Sequence, residues 1–469
     1  MQTIILLLFG LALLHNSIGR HVVIVTICTS HFNITEGIAK GLLARNHDVT
    51  YIVSGECSER VQTIGAKIYS TDKWNFSSTV FENPNIYISE CVQFAALQLH
   101  GLIKNSEYAK PDLIVADYFA IGISAIPEKH NIPYANLLSG MGDFPGVANK
   151  RTALNAYFAI DDNASNITQY ISRALHHAIT NFLLCPIYKT SNALRKNIGL
   201  KDEFTSLSHI VNSYPSFAFL NPTLQLSFAN ANVYSLGIIK TSYNLPPLQD
   251  DISRFVKHSE MDILYVAFGS TMTPSIKVKQ ALISVLEKQS YYNVIASRFQ
   301  EGITFTSKIK VTEFTSQMTL LHHPKVKLFI SHCGMNSILE AIRSETVIIC
   351  LPQGRDQHMS AFGLSNAGVA LVIDDGESKD SIAKTIELAH QQYKDLQSAI
   401  KQQKQVLYAI DGIKQIENLM SRYAGKTTRI VCSDPYTAGH KLFVISLITI
   451  FISISILIPI IITKILWKR

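Results

Sequence analysis

Residues 327–343 read KLFISHCGMNSILEAIR, and this stretch shows how the chain is built. Lys327 to Ser331 is a short, largely apolar run, which is typical of a strand buried on both faces of a parallel sheet. The loop His332-Cys333-Gly334 follows and opens a helix at Met335 to Arg343. Because parallel strands need a crossover connection, usually a helix, this strand-loop-helix unit predicts an α/β fold.

The same alternation of strand and helix runs through the rest of the chain. An apolar run from His21 to Ile27 precedes a segment with helical spacing, Ile34 to Asn46, and a second strand, Asp48 to Val53. Residues 145–215 are less regular and are expected to form helices that cover one side of the first sheet. The pattern predicts two Rossmann-like domains that face a cleft. Further strands are predicted at 112–117, 132–138, 263–268, 294–297, 347–351 and 370–373.

A polar, proline-containing stretch separates the two halves. Residues 239–251 read IKTSYNLPPLQDD, have little periodicity and form the best candidate for a linker. We therefore expect an N-terminal domain at 20–238 and a C-terminal domain at 252–435.

Both ends of the chain are strongly apolar. An almost unbroken apolar run at 4–14, with small residues at Ser17 and Gly19, predicts a signal peptide at 1–19. Residues 442–463 carry no charge and are long enough to cross a hydrocarbon core of about 30 Å, so they predict one transmembrane helix. The tail 464–469 is basic, as the positive-inside rule requires of a cytoplasmic segment. These ends predict a single-pass type I membrane protein whose body lies in the lumen.

Composition excludes several classes of protein. The 469 residues suffice for two or three domains, and a mean hydropathy of +0.16 points to a membrane contribution. The net charge of +7 comes without a run of about five basic residues, so nucleic acid is not an expected partner. Seven scattered cysteines without a CxxC pair argue against a zinc ribbon and a disulfide-dense scaffold. Four N-x-S/T sequons fit a lumenal body, at Asn33, Asn75, Asn163 and Asn166.

Polar residues that follow buried strands are the candidates for binding a ligand, because ligands of open parallel sheets bind beyond the carboxyl ends of the strands. His332 and Gly334 come just before a helix whose first amides and dipole favour a phosphate group. Asn336 and Glu340 are four residues apart and share one face of that helix, where Glu340 could accept hydrogen bonds from ribose hydroxyls. Asp356 and Gln357 lie in the next strand-to-helix loop and suit sugar hydroxyls.

The joint spacing of these residues resembles the donor-binding signature of the UDP-glycosyltransferases of the glucuronosyltransferase type. The likeness begins at Phe314 and Gln317 and runs through the 329–341 segment to Asp356-Gln357-His358. It implies a GT-B architecture: two Rossmann-like domains, the first for the acceptor and the second for the UDP-sugar. It also implies that Phe314 lies under the uracil, Gln317 beside the base and ribose, and Glu340 on the ribose. The diphosphate would be held by Ser270, His332, Gly334 and Asn336, and the transferred sugar by Asp356 and Gln357.

The family's general base matches His31, and its helper carboxylate matches Asp117. Both follow or end buried strands of one predicted sheet, so they could meet at its carboxyl edge, where a carboxylate would orient the imidazole and raise its basicity. The resemblance implies inverting transfer of a hexose to a hydroxyl of a small lipophilic acceptor. His31 would act as base, and the helix terminus, backbone amides and His332 would neutralise the leaving UDP. No metal or other cofactor is expected. Asn33 is expected to be unmodified because a glycan there would obstruct the base.

Several positions depart from the family pattern. Phe314 replaces the usual Trp, Ser316 a proline, Cys333 the first of two common glycines and Arg355 a small residue. The tail lacks the dilysine pattern of many relatives, which leaves the endoplasmic reticulum and later secretory compartments both open. The sequence also leaves open the acceptor, the choice between glucose and glucuronic acid, and homo-oligomer formation.

Two other functions are weighed against the transferase. One is a catalytically silent, membrane-anchored relative that binds a lipophile or a UDP-sugar; the presence of His31, Asp117 and the donor residues disfavours it. The other is a nicotinamide-dependent oxidoreductase, which is disfavoured because no G-x-G-x-x-G follows the first strand.

Overall fold

The computed structural model describes residues 19–27, 29–53, 57–69, 84–138, 185–205, 207–219, 232–240, 245–269, 274–299, 308–353 and 357–430. Within these ranges no helix combines the length and apolar character needed to cross a membrane. Outside them lie residues 1–18 of the predicted signal peptide, the predicted span 442–463, the tail 464–469 and the sequons at Asn75, Asn163 and Asn166.

The N-terminal half forms a parallel sheet in which the described strands follow the order β3-β2-β1-β4-β5-β6-β7. The strands are β1 (His21–Val25), β2 (Asp48–Ile52), β3 (Lys67–Ile68), β4 (Leu113–Asp117), β5 (Tyr134–Leu138), β6 (Ser216–Ala218) and β7 (Val233–Ser235). The helices are α1 (Thr29–Leu43), α2 (Ser58–Thr63), α3 (Pro84–Lys104), α4 (Ala125–Lys129), α5 (Cys185–Asn197) and α6 (Leu207–Ser213), with a 3-10 helix at Tyr118–Ser124.

The first strand shows why this sheet lies inside the protein. All five residues of β1 are buried; Val22 and Ile24 join one hydrophobic cluster, whereas Val23 and Val25 join another. Successive side chains of a strand point to opposite faces, so an all-apolar strand is stable only where both faces are covered. The predicted strand is confirmed.

Helix α1 begins earlier than the sequence pattern predicted. The prediction started the helix at Ile34, but the helix starts at Thr29. Phe32 and Thr35 are both fully buried and extend the inward-facing stripe by one turn, which the apolar count from Ile34 missed. His31 therefore lies in the first turn of a helix, and the prediction of a loop position was wrong.

The C-terminal half forms a second parallel sheet, with the described strands in the order β10-β9-β8-β11-β12-β13. These strands are β8 (Ile263–Ala267), β9 (Asn293–Ser297), β10 (Ile309–Thr312), β11 (Val326–Ser331), β12 (Val347–Cys350) and β13 (Ala370–Val372). The helices are α7 (Asp250–His258), α8 (Ile276–Lys288), α9 (Gln317–Leu321), α10 (Met335–Ser344), α11 (Gln357–Asn366), α12 (Lys379–Gln391), α13 (Tyr393–Ala409) and α14 (Gly412–Arg422).

In each sheet the strand order reverses at one place. The first sheet grows from β1 towards β3 and then restarts on the other side of β1 with β4; the second grows from β8 towards β10 and restarts with β11. The crevice at such a reversal is where open α/β sheets bind ligands. The two reversals therefore single out the loops that follow β1, β4, β8 and β11.

The last two described helices, α13 and α14, pack against the N-terminal half. The backbone amide of Ile238 donates a hydrogen bond to the carbonyl of Leu407 in α13, at 3.1 Å. Arg45, just beyond α1, forms ion pairs with Asp411 at 2.7 Å and with Glu417 in α14 at 3.1 Å. A β-carbon on Gly41 would lie 2.6 Å from Ile413, so α1 and α14 are in direct contact at that glycine. The domain boundaries drawn from the sequence stay a prediction.

Candidate functional site

The reversal in the first sheet brings together the two residues that the sequence pairs there. His31 follows β1, and Asp117 is the last residue of β4, the strand that neighbours β1. Nδ1 of His31 lies 2.7 Å from Oδ2 of Asp117. The Asp117 side chain is fully buried, whereas about a fifth of the His31 side chain (21%) is exposed. The pair thus has its carboxylate inside the protein and its imidazole at the surface.

The hydrogen bond decides which nitrogen of His31 can act as a base. An ionised carboxylate can only accept, so Nδ1 carries the proton and Nε2 carries the lone pair. The second carboxylate oxygen, Oδ1 of Asp117, is buried and has no hydrogen-bond partner among the described residues. A buried carboxylate with one unsatisfied oxygen is costly, and it gains stability from any positive charge that develops on the imidazole.

The reversal in the second sheet places His332 in a tight cradle. Its imidazole is packed between Gly269, after β8, and Gly334: a β-carbon on either glycine would lie 2.8 Å or 2.5 Å, respectively, from a ring atom. Burial lowers the pKa of His332 to about 4, so the ring is neutral at neutral pH. Its Nδ1 is buried without a hydrogen-bond partner in the described part of the chain. The ring can therefore offer a hydrogen bond to a ligand but brings no positive charge of its own.

Gly334 is the N-cap residue of helix α10, and the helix terminus supplies the positive charge that the neutral His332 lacks. Among the described residues, no side chain caps α10. The first amides of a helix have no partner within the helix and carry about half a positive charge together with the dipole. Asn336 lies in this first turn and is partly buried. The terminus is therefore suited to an anion.

One turn further along α10, Glu340 is held by a residue from α9. Nε2 of Gln317 donates to Oε2 of Glu340 at 2.6 Å and also approaches Oγ of Ser337 at 3.2 Å. Burial raises the pKa of Glu340, while the hydrogen bond from Gln317 and the charge of Arg343 oppose that rise. Gln317 and Glu340, which the resemblance assigns separately to the donor site, thus form a single polar unit that can take hydrogen bonds from hydroxyl groups.

Phe314 presents an exposed ring on a fixed backbone. Its side chain is 68% exposed, which is unusual for a large apolar residue. Its carbonyl accepts hydrogen bonds from Gln249 at 2.8 Å and Thr312 at 2.7 Å. An aromatic face held in this way is available for stacking.

The loop after β12 is described only in part. Gln357 begins α11 and is nearly fully buried, and its Oε1 accepts a hydrogen bond from the backbone amide of Gln353 at 2.8 Å. That contact uses one lone pair of the amide oxygen and leaves the amide nitrogen to donate to a ligand. Asp356 and Ser270, which the sequence also assigns to the site, lie outside the described residues.

The sequence reasoning missed one covalent feature of this region. Cys333 and Cys350 form a disulfide whose Cα atoms are 5.4 Å apart. The spacing of the cysteines along the chain did not indicate which of them pair, but their positions relative to the strands could have done so. Cys350 ends β12, and Cys333 comes two residues after the adjacent strand β11. The cradle glycine Gly269 was also missed as a functional position.

A model of the family "UDP-glucoronosyl and UDP-glucosyl transferase" matches residues 164–401, about half of the chain. The chain belongs to this family. Among similar proteins, UDP-glucuronosyltransferase 3A1 of Homo sapiens is 27% identical over 169 residues, covering 34% of this chain and 31% of the human protein. UDP-glycosyltransferase UGT4 of Dactylopius coccus is 21% identical over 411 residues, covering 76% of each chain. The similarity to the human family member thus spans about a third of its length.

The fold is similarly shared with solved structures. One is a UDP-glucosyltransferase from Polygonum tinctorium, capable of glucosylating indoxyl and solved with 3,4-dichloroaniline. It superposes with a TM-score of 0.64 at 16% identity and covers 86% of this chain and 99% of its own. Together with the two parallel sheets, this confirms the GT-B arrangement of two Rossmann-like domains.

Proposed function

We propose that the chain is an inverting glycosyltransferase that moves a hexose from a UDP-sugar to a hydroxyl of a small lipophilic acceptor. The observation that carries this proposal is the 2.7 Å hydrogen bond between His31 and Asp117 at the reversal of the first sheet. A buried carboxylate that fixes the tautomer of a partly exposed imidazole is the arrangement of a general base. Membership of the family supports a UDP-sugar as the second substrate.

The proposed reaction is a single displacement. Nε2 of His31 takes the proton of the acceptor hydroxyl while its oxygen forms a bond to the anomeric carbon of the sugar. The bond from that carbon to the phosphate oxygen breaks on the opposite face, and UDP leaves with the electron pair. Asp117 stabilises the imidazolium that results. Inversion at the anomeric carbon follows from attack on the face opposite the leaving group.

The C-terminal half supplies the proposed donor site. Phe314 would stack on the uracil, and the Gln317–Glu340 unit would bind the ribose hydroxyls. The terminus of α10 and His332 would hold the diphosphate, with Asn336 and Ser270 beside it. Because His332 is neutral before the donor binds, most of the charge on the leaving group would be stabilised by the helix terminus and its amides. Asp356 and Nε2 of Gln357 would contact the transferred sugar. No metal takes part in this proposal.

Transfer assays on the purified full chain test the proposal. The protein is incubated with one promiscuous phenol and either UDP-glucose or UDP-glucuronate, and the product is identified by mass spectrometry and by NMR of the anomeric centre. We expect transfer from one of the two donors, with inverted configuration. His31→Ala should lower kcat at least about 1,000-fold while the Kd for UDP stays within about twofold.

A second histidine provides the control. His258 is exposed at the end of α7, and His258→Ala should transfer at the wild-type rate. Normal transfer by His31→Ala would show that the base is wrongly assigned. UDP binding by the wild-type protein without transfer to any of many acceptors would instead favour the silent relative.

We also propose that residues 442–463 anchor the chain in a membrane with residues 20–441 in the lumen. The charge-free run of the last segment and the apolar leader support this arrangement. A chain truncated after residue 435 should be secreted, whereas the full chain should resist extraction with alkaline carbonate. Digestion of the body of the full chain by protease added to sealed microsomes would contradict the topology.

A further inference from the structure

The Cys333–Cys350 disulfide lies inside the proposed donor site without belonging to any ligand contact assigned so far. Both cysteines are fully buried. Strands β11 and β12 are adjacent and parallel, with Ser331 opposite Cys350. The bridge therefore ties the loop that carries His332 and Gly334 to the carboxyl end of the next strand, which leads directly into the Gln353–Gln357 contact.

Cys333 has a backbone conformation that few residues other than glycine adopt. Its φ is +59°, in the left-handed region, where an L side chain is strained by contact with the backbone. The amide of Cys333 donates to Oγ of Ser331 at 3.0 Å, which helps to hold the turn. Without further support, a non-glycine residue at this position would favour a different loop shape.

The surroundings leave this loop no room to change shape without moving His332. The imidazole is packed between Gly269 and Gly334 at distances that exclude even a methyl group on either side. Rotation of the backbone at Cys333 would turn His332 against Gly269 or move the first amides of α10. The position of the ring and the direction of those amides are thus linked through the single residue Cys333.

We propose that the Cys333–Cys350 disulfide is a positioning element of the donor site. It holds residue 333 in the left-handed conformation that a glycine would adopt unaided, and so keeps His332 and the terminus of α10 aimed at the diphosphate. This inference rests on the proposed donor site, but it concerns nucleotide binding and does not require that sugar is transferred. The cysteines act through the loop and do not touch the ligand.

Two double variants separate this role from simple cross-linking. Both remove the bridge: Cys333→Ala/Cys350→Ala leaves an L residue at the strained position, and Cys333→Gly/Cys350→Ala leaves a glycine there. We expect the first variant to raise the Kd for UDP and the KM for the UDP-sugar about tenfold, with the acceptor KM changed less than about twofold. The glycine variant should return both donor constants to within about threefold of wild type.

Melting temperatures alone do not separate the two roles. At φ +59° an alanine is strained and a glycine is not, so the glycine variant should also be the more stable of the two. The discriminating result is the selective rise of the donor constants in the alanine variant, because a general loss of folded protein would lower the active fraction without raising the Kd for UDP or changing the donor KM relative to the acceptor KM. Calorimetric titration with UDP and thermal unfolding on the same samples provide both readouts.

Three results would overturn this proposal without affecting the proposed function. The first is a non-reducing peptide map of the full chain from a secretory host that shows free thiols at 333 and 350. The second is wild-type affinity for UDP in the alanine double variant. The third is an equal loss of UDP affinity in the alanine and glycine double variants. A wild-type protein that binds UDP but transfers no sugar would contradict the proposed function and leave the comparison of UDP affinities valid. Absence of UDP binding by the wild type would overturn both.

Discussion

At the scale of single residues, the Asp117 carboxylate controls what His31 can do. It keeps the proton on Nδ1 and leaves the lone pair on Nε2, because an ionised carboxylate accepts and never donates. Asparagine has the same shape but can present its N–H₂ group to Nδ1. That contact would favour the other tautomer, with the proton on Nε2, and would remove the base.

Replacement of Asp117 by asparagine should therefore abolish most transfer. We expect Asp117→Asn to lower kcat about 1,000-fold or more, with the Kd for UDP unchanged, because in the proposed mechanism the carboxylate acts only on the acceptor side. The matched control is Asp112, whose Oδ2 accepts a hydrogen bond from the His21 amide at 2.8 Å at the opposite end of the same strands. Asp112→Asn should keep the wild-type kcat, and equal losses in the two variants would contradict the assignment.

His332 should make the fold sensitive to mild acid. Burial lowers its pKa to about 4, whereas a histidine in the unfolded chain titrates near 6.5. Between these values the unfolded chain binds a proton that the folded chain does not. The contribution of His332 to the free energy of unfolding is therefore complete above about pH 6.5. As the pH falls towards 4, the free energy of unfolding decreases by at most about 3 kcal/mol for this reason.

The glutamine variant isolates this contribution. His332→Gln removes the titrating group, so its free energy of unfolding should fall less than that of the wild type between pH 7 and pH 4.5. Urea unfolding of both proteins at the two pH values measures the difference. Identical pH dependence in both would mean that His332 titrates in the folded chain as it does in the unfolded one.

At the scale of elements, helix α1 connects the proposed base to α14, the last of the described helices. His31 lies in its first turn, and Gly41 near its end contacts Ile413 of α14. An alanine in a helix is normally more stable than a glycine by about 1 kcal/mol, but here its methyl group would collide with a buried side chain. The cost of overpacking should exceed the gain in helix propensity, because the added β-carbon would lie only 2.6 Å from an atom of Ile413.

We expect Gly41→Ala to destabilise the protein by about 1 kcal/mol and to lower kcat, since α1 must shift and carries His31 with it. Ile413→Ala alone should also destabilise it, by leaving a cavity. The double variant should lose clearly less than the sum of the two, because the added methyl group fills that cavity. If the losses in free energy of unfolding of the two single variants simply added up in the double variant, the contact between Gly41 and Ile413 would be contradicted.

The sequence was informative where the fold depends on local patterns. Apolar runs located β1 and β4. The family resemblance singled out His31 and Asp117, and the position of both at the carboxyl ends of these strands supported their pairing. The disulfide was not found, because its detection requires the order of β11 and β12 in the sheet and not only their existence. The contact of α14 with α1 was missed for a related reason: the Arg45–Asp411 pair is separated by 366 residues, and no periodicity reports such a distance.

At the scale of the whole molecule, the chain returns to the N-terminal sheet after α14 and is fastened there. We call residues 423–430 the C-terminal strap. The amide of Tyr134 in β5 donates to Oγ1 of Thr428 at 3.0 Å, and the amide of Ile430 donates to the carbonyl of Ser213 at 2.8 Å. Arg429 donates to Glu128 at 2.7 Å. The strap thus bonds to β5, to the end of α6 and to α4.

A charge network surrounds this attachment. Arg195 is fully buried and pairs with Glu128 at 2.6 Å and with Asp202. Arg429 also pairs with Asp202. Burial alone would raise the pKa of Glu128, but hydrogen bonds from Arg195, Tyr214 and Arg429 outweigh it and lower the pKa. Burial would likewise raise the pKa of Asp202, but hydrogen bonds from Arg429 and Arg195 outweigh it and lower the pKa to about 2.

Removal of the Arg429 side chain should therefore weaken the attachment of the strap and destabilise the N-terminal half. We expect Arg429→Met to lower the free energy of unfolding by about 3 kcal/mol at pH 7, because it leaves buried carboxylate charge with fewer partners.

This loss of stability should depend on pH. Both Glu128 and Asp202 have lowered pKa values, so the stabilisation that their ion pairs give the folded protein is complete above about pH 4.5 and is lost as the pH falls towards 2. Asp202 is half-exposed, so solvent screening assigns most of the effect to Glu128. In urea unfolding, the difference in free energy of unfolding between the wild type and Arg429→Met should then become smaller from pH 5 to pH 3. Arg422→Met, at an exposed arginine of α14, is the control, and an equal loss in both variants would contradict the role of the network.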